Sequence, residues 1–263
     1  DNEAIEVLSM EESRRVRAEL ARKSELDRIL VPRFVCTDKN DGLRSSSSNL
    51  PVRHSARMVV PGFKDRANLE GSLRRDAPTG SRIAQHLLFI IAAWNHTWSL
   101  ISADVKAAFL KGDRYVSRQL WITKTNEAVS PPVPLRPGQL AKVVKGIFGL
   151  ADAPRQWWLR LSRSMSEHGW EKSCIDGALW FLWSVAADGS RTLEGAIVSH
   201  VDDLLFTGSP KAEQSLMSIG AELGFGSVDR DDFVWCGKRI RRHSDGTIRI
   251  SMVAYHENVS EIN

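Results

Sequence analysis

The stretch that most restricts what this chain can fold into runs from Glu194 to Gly208. Two apolar runs, Ala196 to Val201 and Leu204 to Phe206, have the β-branched content and length of buried strands. Between them stand Asp202 and Asp203, with no Gly, Pro or Asn beside them to make an ordinary turn. Adjacent ionised carboxylates in an apolar hairpin repel each other and lose hydration, so the pair implies a compensating positive charge. A divalent cation with oxygen ligands, Mg²⁺ or Mn²⁺, is the least costly compensation. The competing reading is a pair held by structural hydrogen bonds. The chain carries its own control: Asp231-Asp232, beside Asp229 and Arg230, reads as solvated charge in a polar turn.

A chain of 263 residues can bury a substantial core, and one catalytic domain with sub-domains suits that length. An apolar content of 42% and a charged content of 26% are ordinary for a globular protein. Net charge is only +4, yet the basic residues cluster. Arg14, Arg15, Arg17, Arg22 and Lys23 form one group, and Lys238, Arg239, Arg241 and Arg242 another. Both suit a polyanion, and the first equally suits a solvated helix face. Cys36, Cys174 and Cys236 are far apart and odd in number, which points to a reducing compartment and away from a disulfide framework or zinc site. The best apolar span, Ile83 to Trp94, is interrupted by Gln85 and His86 and too short to cross a bilayer, so no membrane partner is expected. No signal peptide is visible in the acidic, polar start, and a chain that begins at Asp1 and stops at Asn263 reads as a fragment.

Element signals mix strands and helices without a regular βαβ period, which predicts an α+β fold with an antiparallel sheet packed on helices. Ser9 to Glu12 is a capping-box pattern opening a polar helix to about Lys23, expected to lie on the surface or pack on something absent. Ile29 to Thr37 reads as an edge strand interrupted by Pro32, with Val52 to Val60 returning after a mobile serine tip, Ser45 to Ser48. Arg53 and Arg57 fall on one face of that strand. Ser81 to Trp94 is the strongest helix, with Ile83, Leu87, Leu88, Ile90, Ile91 and Trp94 expected to form a wide buried face. Strands are expected over 98–104, 120–123, 140–144 and 179–185, and helices over 153–168 and 210–223. Ser130 to Gly138 is a stiff connection. Asp232 to Arg241 and Thr247 to Ser251 form a last hairpin around Asp245-Gly246.

Asp104 ends an apolar strand. If that strand neighbours the hairpin, three carboxylates meet at one sheet edge, the ligand set of a two-metal site for phosphoryl or nucleotidyl transfer. Phe109, five residues on, is placed to collide with a ribose 2′-hydroxyl and so select deoxyribonucleotides. Taken singly, Phe109 reads as core, Arg57 as an exposed strand cation, Trp157 and Trp158 as packing, and Cys236 as a buried filler.

Three stretches occur in order and carry a resemblance: Asp104 to Gly112, Gly146 to Trp158 and His200 to Gly208. They resemble the successive motifs of a copia-type retrotransposon reverse transcriptase. Ser55 to Phe63 is similar to that family's finger strand, Asp76 to Thr79 to its following loop, and Phe233 to Gly237 to its primer-grip hairpin. The similarity covers about Ile29 to Tyr255. It implies a right-hand polymerase: residues 1–28 as a leading helix and linker, 29–97 as fingers, 98–251 as palm with inserted finger elements and primer grip, and 252–263 as the start of a truncated thumb.

By motif, the resemblance makes Asp104, Asp202 and Asp203 the catalytic and metal carboxylates for two Mg²⁺ ions, with Mn²⁺ as a substitute. It puts Arg57, Val105 (through its carbonyl), Phe109 and Gly149 at the nucleotide, and His200, Trp235 and Gly237 at the primer and template. Implied partners are a primed RNA or DNA template, deoxynucleoside triphosphates and other segments of the element's polyprotein. The implied location is intracellular, a cytoplasmic particle or the nucleus. Two positions depart from the pattern. His200 replaces the tyrosine that opens the carboxylate box, with altered efficiency rather than loss expected. Asp152 replaces a glutamine and is expected to add negative charge near a phosphate path. Two other readings stand beside the polymerase: a decayed or truncated copy that binds nucleic acid without polymerising, and a two-metal phosphohydrolase.

Overall fold

The computed structural model describes residues 3–41, 50–126 and 134–252. The expected serine tip, part of the 130–138 connection and nearly all of the 252–263 segment lie outside the described residues. The fold is mixed α+β, and the chain divides into two compact units: Asp1–Asp76 with Phe109–Trp157, and Ala77–Ala108 with Trp158–Asn263.

In the first unit a four-stranded sheet has the order β1 (Ile5–Val7), β7 (Leu140–Val143), β6 (Trp121–Thr123), β2 (Ile29–Leu30). Helix α1 (Met10–Arg22) starts at the anticipated capping box: Ser9 accepts from the Glu12 N–H at 3.1 Å and the Glu12 carboxylate from the Ser9 N–H at 2.8 Å. It does not wait for an absent partner, because Leu20 packs with Trp121 and Leu140 and the Ser13 hydroxyl accepts from the Leu140 N–H at 3.0 Å. Two well-placed side chains suffice to seat a helix that looks thinly apolar.

Pro32 separates rather than interrupts. Before it β2 runs parallel to β6; after it β3 (Arg33–Asp38) pairs antiparallel with β4 (His54–Val59) in a sheet of their own. Asp65 then caps the short helix α2 (Arg66–Leu69) through the Ala67 N–H.

The second unit is built on a six-stranded antiparallel sheet: β12 (Phe225–Arg230), β5 (Ser99–Val105), β11 (Asp203–Gly208), β10 (Arg191–His200), β9 (Leu179–Val185), β8 (Trp170–Lys172). Helix α5 (Pro210–Leu223) begins at Ser209, whose hydroxyl accepts from the Ala212 N–H, with proline at the start where its missing donor costs nothing. It ends at Gly224, φ 73°, a left-handed cap that a β-carbon would strain.

Helix α3 (Arg82–Trp94) buries Ala84, Gln85, Leu88, Phe89 and Ala92. Several of these join Leu100, Leu179, Val198 and Leu205 in the main core. The wide buried face expected of it is corrected. Ile83, Ile90 and Trp94 are exposed, Trp94 to 82%, because a helix on a sheet covers only the stripe that faces the strands.

The last hairpin also differs. The span 232–241 is two strands, β13 (Asp232–Trp235) and β14 (Lys238–Arg242), joined by a turn in which Cys236 (φ 48°) and Gly237 (φ 75°) are both left-handed. β15 (Ile248–Ser251) completes a three-stranded sheet. Arg242 is not a surface cation here. It donates to the Ala92 carbonyl at 3.1 Å, an acceptor at the C-terminal end of α3, and to the Trp98 carbonyl just before β5. In α4 (Ala153–Glu167), Trp157 is buried, and the Trp158 indole N–H donates to the Gly177 carbonyl at 3.1 Å, so both tryptophans pack as anticipated.

Candidate active site

Strand register assembles the acidic cluster. β10 and β11 pair from Gly195↔Gly208 to His200↔Asp203, so the hairpin tip is only Val201 and Asp202. Val201 takes φ 60°, where a β-branched residue is strained by about 1–3 kcal/mol. The sequence lacked a turn residue because the turn is made by strain at the tip. The Val105 N–H donates to the Asp202 carbonyl at 2.9 Å and ties this tip to the end of β5.

β11 in turn pairs with β5 in the register Asp203↔Asp104. Residues directly opposite in antiparallel strands share a face with β-carbons about 4.5–5.5 Å apart, so these two like charges are neighbours. Asp104, Asp202 and Asp203 are all half-buried. The Asp203 carboxyl is pushed above the ordinary range, first by burial and then by Asp202 and Asp104, against the opposing pull of His200.

On the far side of β5, β12 carries Gly226 at a register shift between Phe225 and Ser227. A β-carbon at Gly226 would lie 2.7 Å from Oδ2 of Asp104. This edge strand escaped the sequence analysis because Phe-Gly-Ser-Val-Asp-Arg has too little apolar alternation to signal it; the glycine was its only trace.

Beside the tip sits the β13–β14 turn. The rings of His200 and Trp235 meet edge to face, centroids 6.3 Å apart. Cys236 next to them is pushed up to about 11, by burial first and then by the charge of Asp203. The turn is anchored by a relay: Lys238 donates to Gln85 Oε1 at 2.7 Å, Gln85 Nε2 to the Gly80 carbonyl at 3.0 Å, and the Gly80 N–H to the Ser199 carbonyl at 2.8 Å. Trp235 is 1% exposed and belongs to the core, whereas Gly237 is exposed.

The first unit gathers the other singled-out residues around Phe148, which the sequence did not mark. The Arg57 guanidinium stands 5.6 Å from the Phe148 ring centroid, and Phe109 meets that ring edge to face at 5.5 Å. Gly149, φ 92°, has no room for a side chain, since a β-carbon would lie 2.1 Å from the Val60 carbonyl oxygen. The loops after β4 and before α4 are laced backbone to backbone by Val60 N–H to Phe148 O at 2.8 Å and Gly62 N–H to Gly149 O at 3.2 Å.

Asp152 closes the same seam. It and Asp65 are both buried and both paired to Arg118, with the Tyr115 hydroxyl donating to Asp152 at 3.1 Å. Asp152 thus has a partner within the fold, and because it shares Arg118 with Asp65 the group keeps a net charge of −1.

Hard oxygen ligands are what Mg²⁺ or Mn²⁺ takes, and half-buried like charges are what such an ion offsets, so Asp104, Asp202 and Asp203 fit a divalent cation by donor chemistry. They are assembled by register rather than as a closed cage: among the described residues no three His, Cys, Asp or Glu side chains are grouped as a metal site. No helix among the described residues is long and apolar enough to cross a membrane.

A sheet edge bearing three acidic residues, in an α+β chain with these motifs, defines a class, and comparison with known families agrees. Residues 23–258 match the family model described as reverse transcriptase (RNA-dependent DNA polymerase), and the chain belongs to that family. The retrovirus-related Pol polyprotein from transposon RE2 of Arabidopsis thaliana is 26% identical over 157 residues, 60% of this chain and 10% of that polyprotein. The Pol polyprotein from transposon TNT 1-94 of Nicotiana tabacum is 25% identical over 163 residues, 61% of this chain and 11% of its own length. The chain thus spans about a tenth of the curated relatives it matches. A foamy viral protease–reverse transcriptase in complex with double-stranded DNA aligns over 87% of this chain and 33% of its own, with a TM-score of 0.41 and 12% identity. The copia-type resemblance read from the motifs holds.

Proposed function

We propose that this chain is the fingers and palm of an RNA-directed DNA polymerase that adds deoxynucleotides to a primer 3′-hydroxyl on an RNA or DNA template. The observation that supports the reading is the Asp203↔Asp104 register with Asp202 at the tip, a set of hard oxygen donors that would suit divalent ions. Mg²⁺ bound there would lower the pKa of the primer hydroxyl and stabilise the charge that develops on the α-phosphate. In this reading Asp104, Asp202 and Asp203 supply that negative site, with the Val105 carbonyl beside it.

Arg57 and Gly149 meet the incoming triphosphate, and Phe109 excludes a 2′-hydroxyl, all three ordered by their contacts with Phe148 or the loop that carries it. His200 and Gly237 face the primer end. Trp235, being core, acts by holding His200 rather than by touching the primer. Of residues 29–97, expected as fingers, α3 goes instead with the palm, 98–251 with its inserted finger elements, because it packs on β10 and β11. Other segments of an intracellular polyprotein would complete the enzyme.

Purified protein should extend a primed RNA template with Mg²⁺, and Asp202→Asn should abolish extension without changing the thermal midpoint. Extension that survives this change refutes the assignment. Arg118 pairs with Asp152 within the fold, which bears on one of the motives of the non-polymerising reading. Salt-sensitive binding without incorporation, even with Mn²⁺, would favour that reading.

A further inference from the structure

Helix α3 carries more apolar surface than one sheet can cover. Ile83, Ile90 and Trp94 stand 73%, 60% and 82% exposed, and Leu87 is half-buried where it meets the main core. At about 3.6 residues per turn these four fall on one flank of the helix, with Ile91 beside them at the edge of the core. The other flank is already taken. Gln85, on the far side, accepts from Lys238 at 2.7 Å, which fixes the three-stranded sheet there. Scattered exposed apolar residues are ordinary, but an unbroken stripe along about three turns of one helix marks an association surface.

The spacing names the occupant. Ile83, Leu87, Ile90 and Trp94 follow one another at steps of four, three and four residues, the seam of a coiled coil. That series reads the same in both directions, so it is complementary to itself. Laid antiparallel against a second copy about a two-fold axis, Trp94 meets the partner's Ile83 and Ile90 meets the partner's Leu87. Every position in the seam then faces an apolar side chain.

Nothing in the seam repels its own copy, because the helix has no Asp, Glu, Lys or Arg from Ile83 to Trp94. Antiparallel helices also set each positive end beside a negative one. A tryptophan, two isoleucines and a half-buried leucine offer about 400–500 Å² per copy, so a pair buries about 800–1,000 Å². That lies at the weak end of specific interfaces and supports an association in the micromolar range.

We propose that this chain self-associates through the α3 stripe as an antiparallel two-fold dimer, with Trp94 as the anchor and Leu87 and Ile90 at its centre. The inference goes beyond the polymerase reading and does not depend on it. The three site carboxylates take no part, so the two fail separately.

Sedimentation velocity of the 263-residue chain, from about 1 to about 200 µM, reads the association directly. The wild type should pass from monomer to dimer across that range. Trp94→Glu should weaken the dimer about tenfold or more, and Ile90→Glu by a similar factor. Both side chains are exposed, so the thermal midpoint should stay level; if one variant melts early, the other decides. The register has its own check. A labelled Trp94→Glu chain should bind an Ile83→Lys chain about threefold or more tighter than it binds itself, because antiparallel pairing sets the new carboxylate against the new ammonium.

A wild type that stays monomeric throughout overturns the proposal and leaves the stripe to a different chain. A dimer untouched by either substitution lies elsewhere on the molecule and overturns it too. Weakening by Trp94→Glu with no recovery in the mixture overturns the antiparallel pairing, and with it the proposal.

Discussion

Asp65 and Asp152 in the first unit are almost fully buried, yet they share Arg118 between them and form part of a seam between loops. Asp104, Asp202 and Asp203 in the second unit are only half-buried, yet Asp203 is held above the ordinary carboxylate range, first by burial and then by Asp202 and Asp104. Depth of burial therefore does not separate the two clusters; the source of the compensating charge does. Where the chain supplies its own guanidinium, the carboxylates are structural. Where like charges face each other across a ladder on a strained tip, an external cation is what the proposed function would supply.

The largest effect that could break this contrast is catalytic. Asp203→Asn should lower primer extension by about 10³-fold or more, the several kcal/mol that a metal-held charge is worth, while stability stays level or rises. Retained extension would make the tip structural, like the Arg118 cluster. Arg118→Met should do the reverse, costing about 3–5 kcal/mol in urea unfolding because two buried carboxylates lose their partner. A loss below about 1 kcal/mol would mean the seam is hydrated in solution.

Mg²⁺ should stabilise the wild type by up to about 2.7 kcal/mol at a hundredfold excess over its Kd. Asp203→Asn should show little of that rise, and an equal rise in both proteins would place the ion elsewhere. Gly226→Ala sharpens the contrast further. Its β-carbon would crowd Oδ2 of Asp104 at 2.7 Å, so extension should fall about tenfold with the fold intact. An unchanged rate would free Asp104 from a fixed position.

The smallest effect belongs to Asp232, an exposed carboxylate drawn down to about 2 by its hydrogen bonds from Arg239 and Arg241. A depressed carboxylate contributes stability that is present above its unfolded value of 3.8 and lost as pH falls through about 2. The thermal midpoint of Asp232→Asn should therefore sit slightly below wild type near neutrality and converge with it in acid. A gap that persists at the lowest pH would mean the effect is not electrostatic.

Much of this was legible before any coordinates. The hairpin at Asp202-Asp203, helices α3 and α5 and the strand over 179–185 follow from local patterns that tertiary contacts did not override. β1, β8 and β12 were invisible, because short edge strands with little apolar alternation are specified by the neighbour they complete. The outward side of α3 was misread because periodicity reports which residues are apolar and cannot say how much of the circumference another layer will cover.

Sequence alone determined the chemistry on offer: which residues are acidic, which stretches are strands, and the family whose motifs they match. Tertiary structure decided what each charge faces. Register set Asp104 against Asp203, a distant arginine paired with Asp152, and one bare glycine kept room for the Asp104 carboxylate. Charge–charge energies depend on separation and surroundings, and only folding fixes those for residues far apart in the chain.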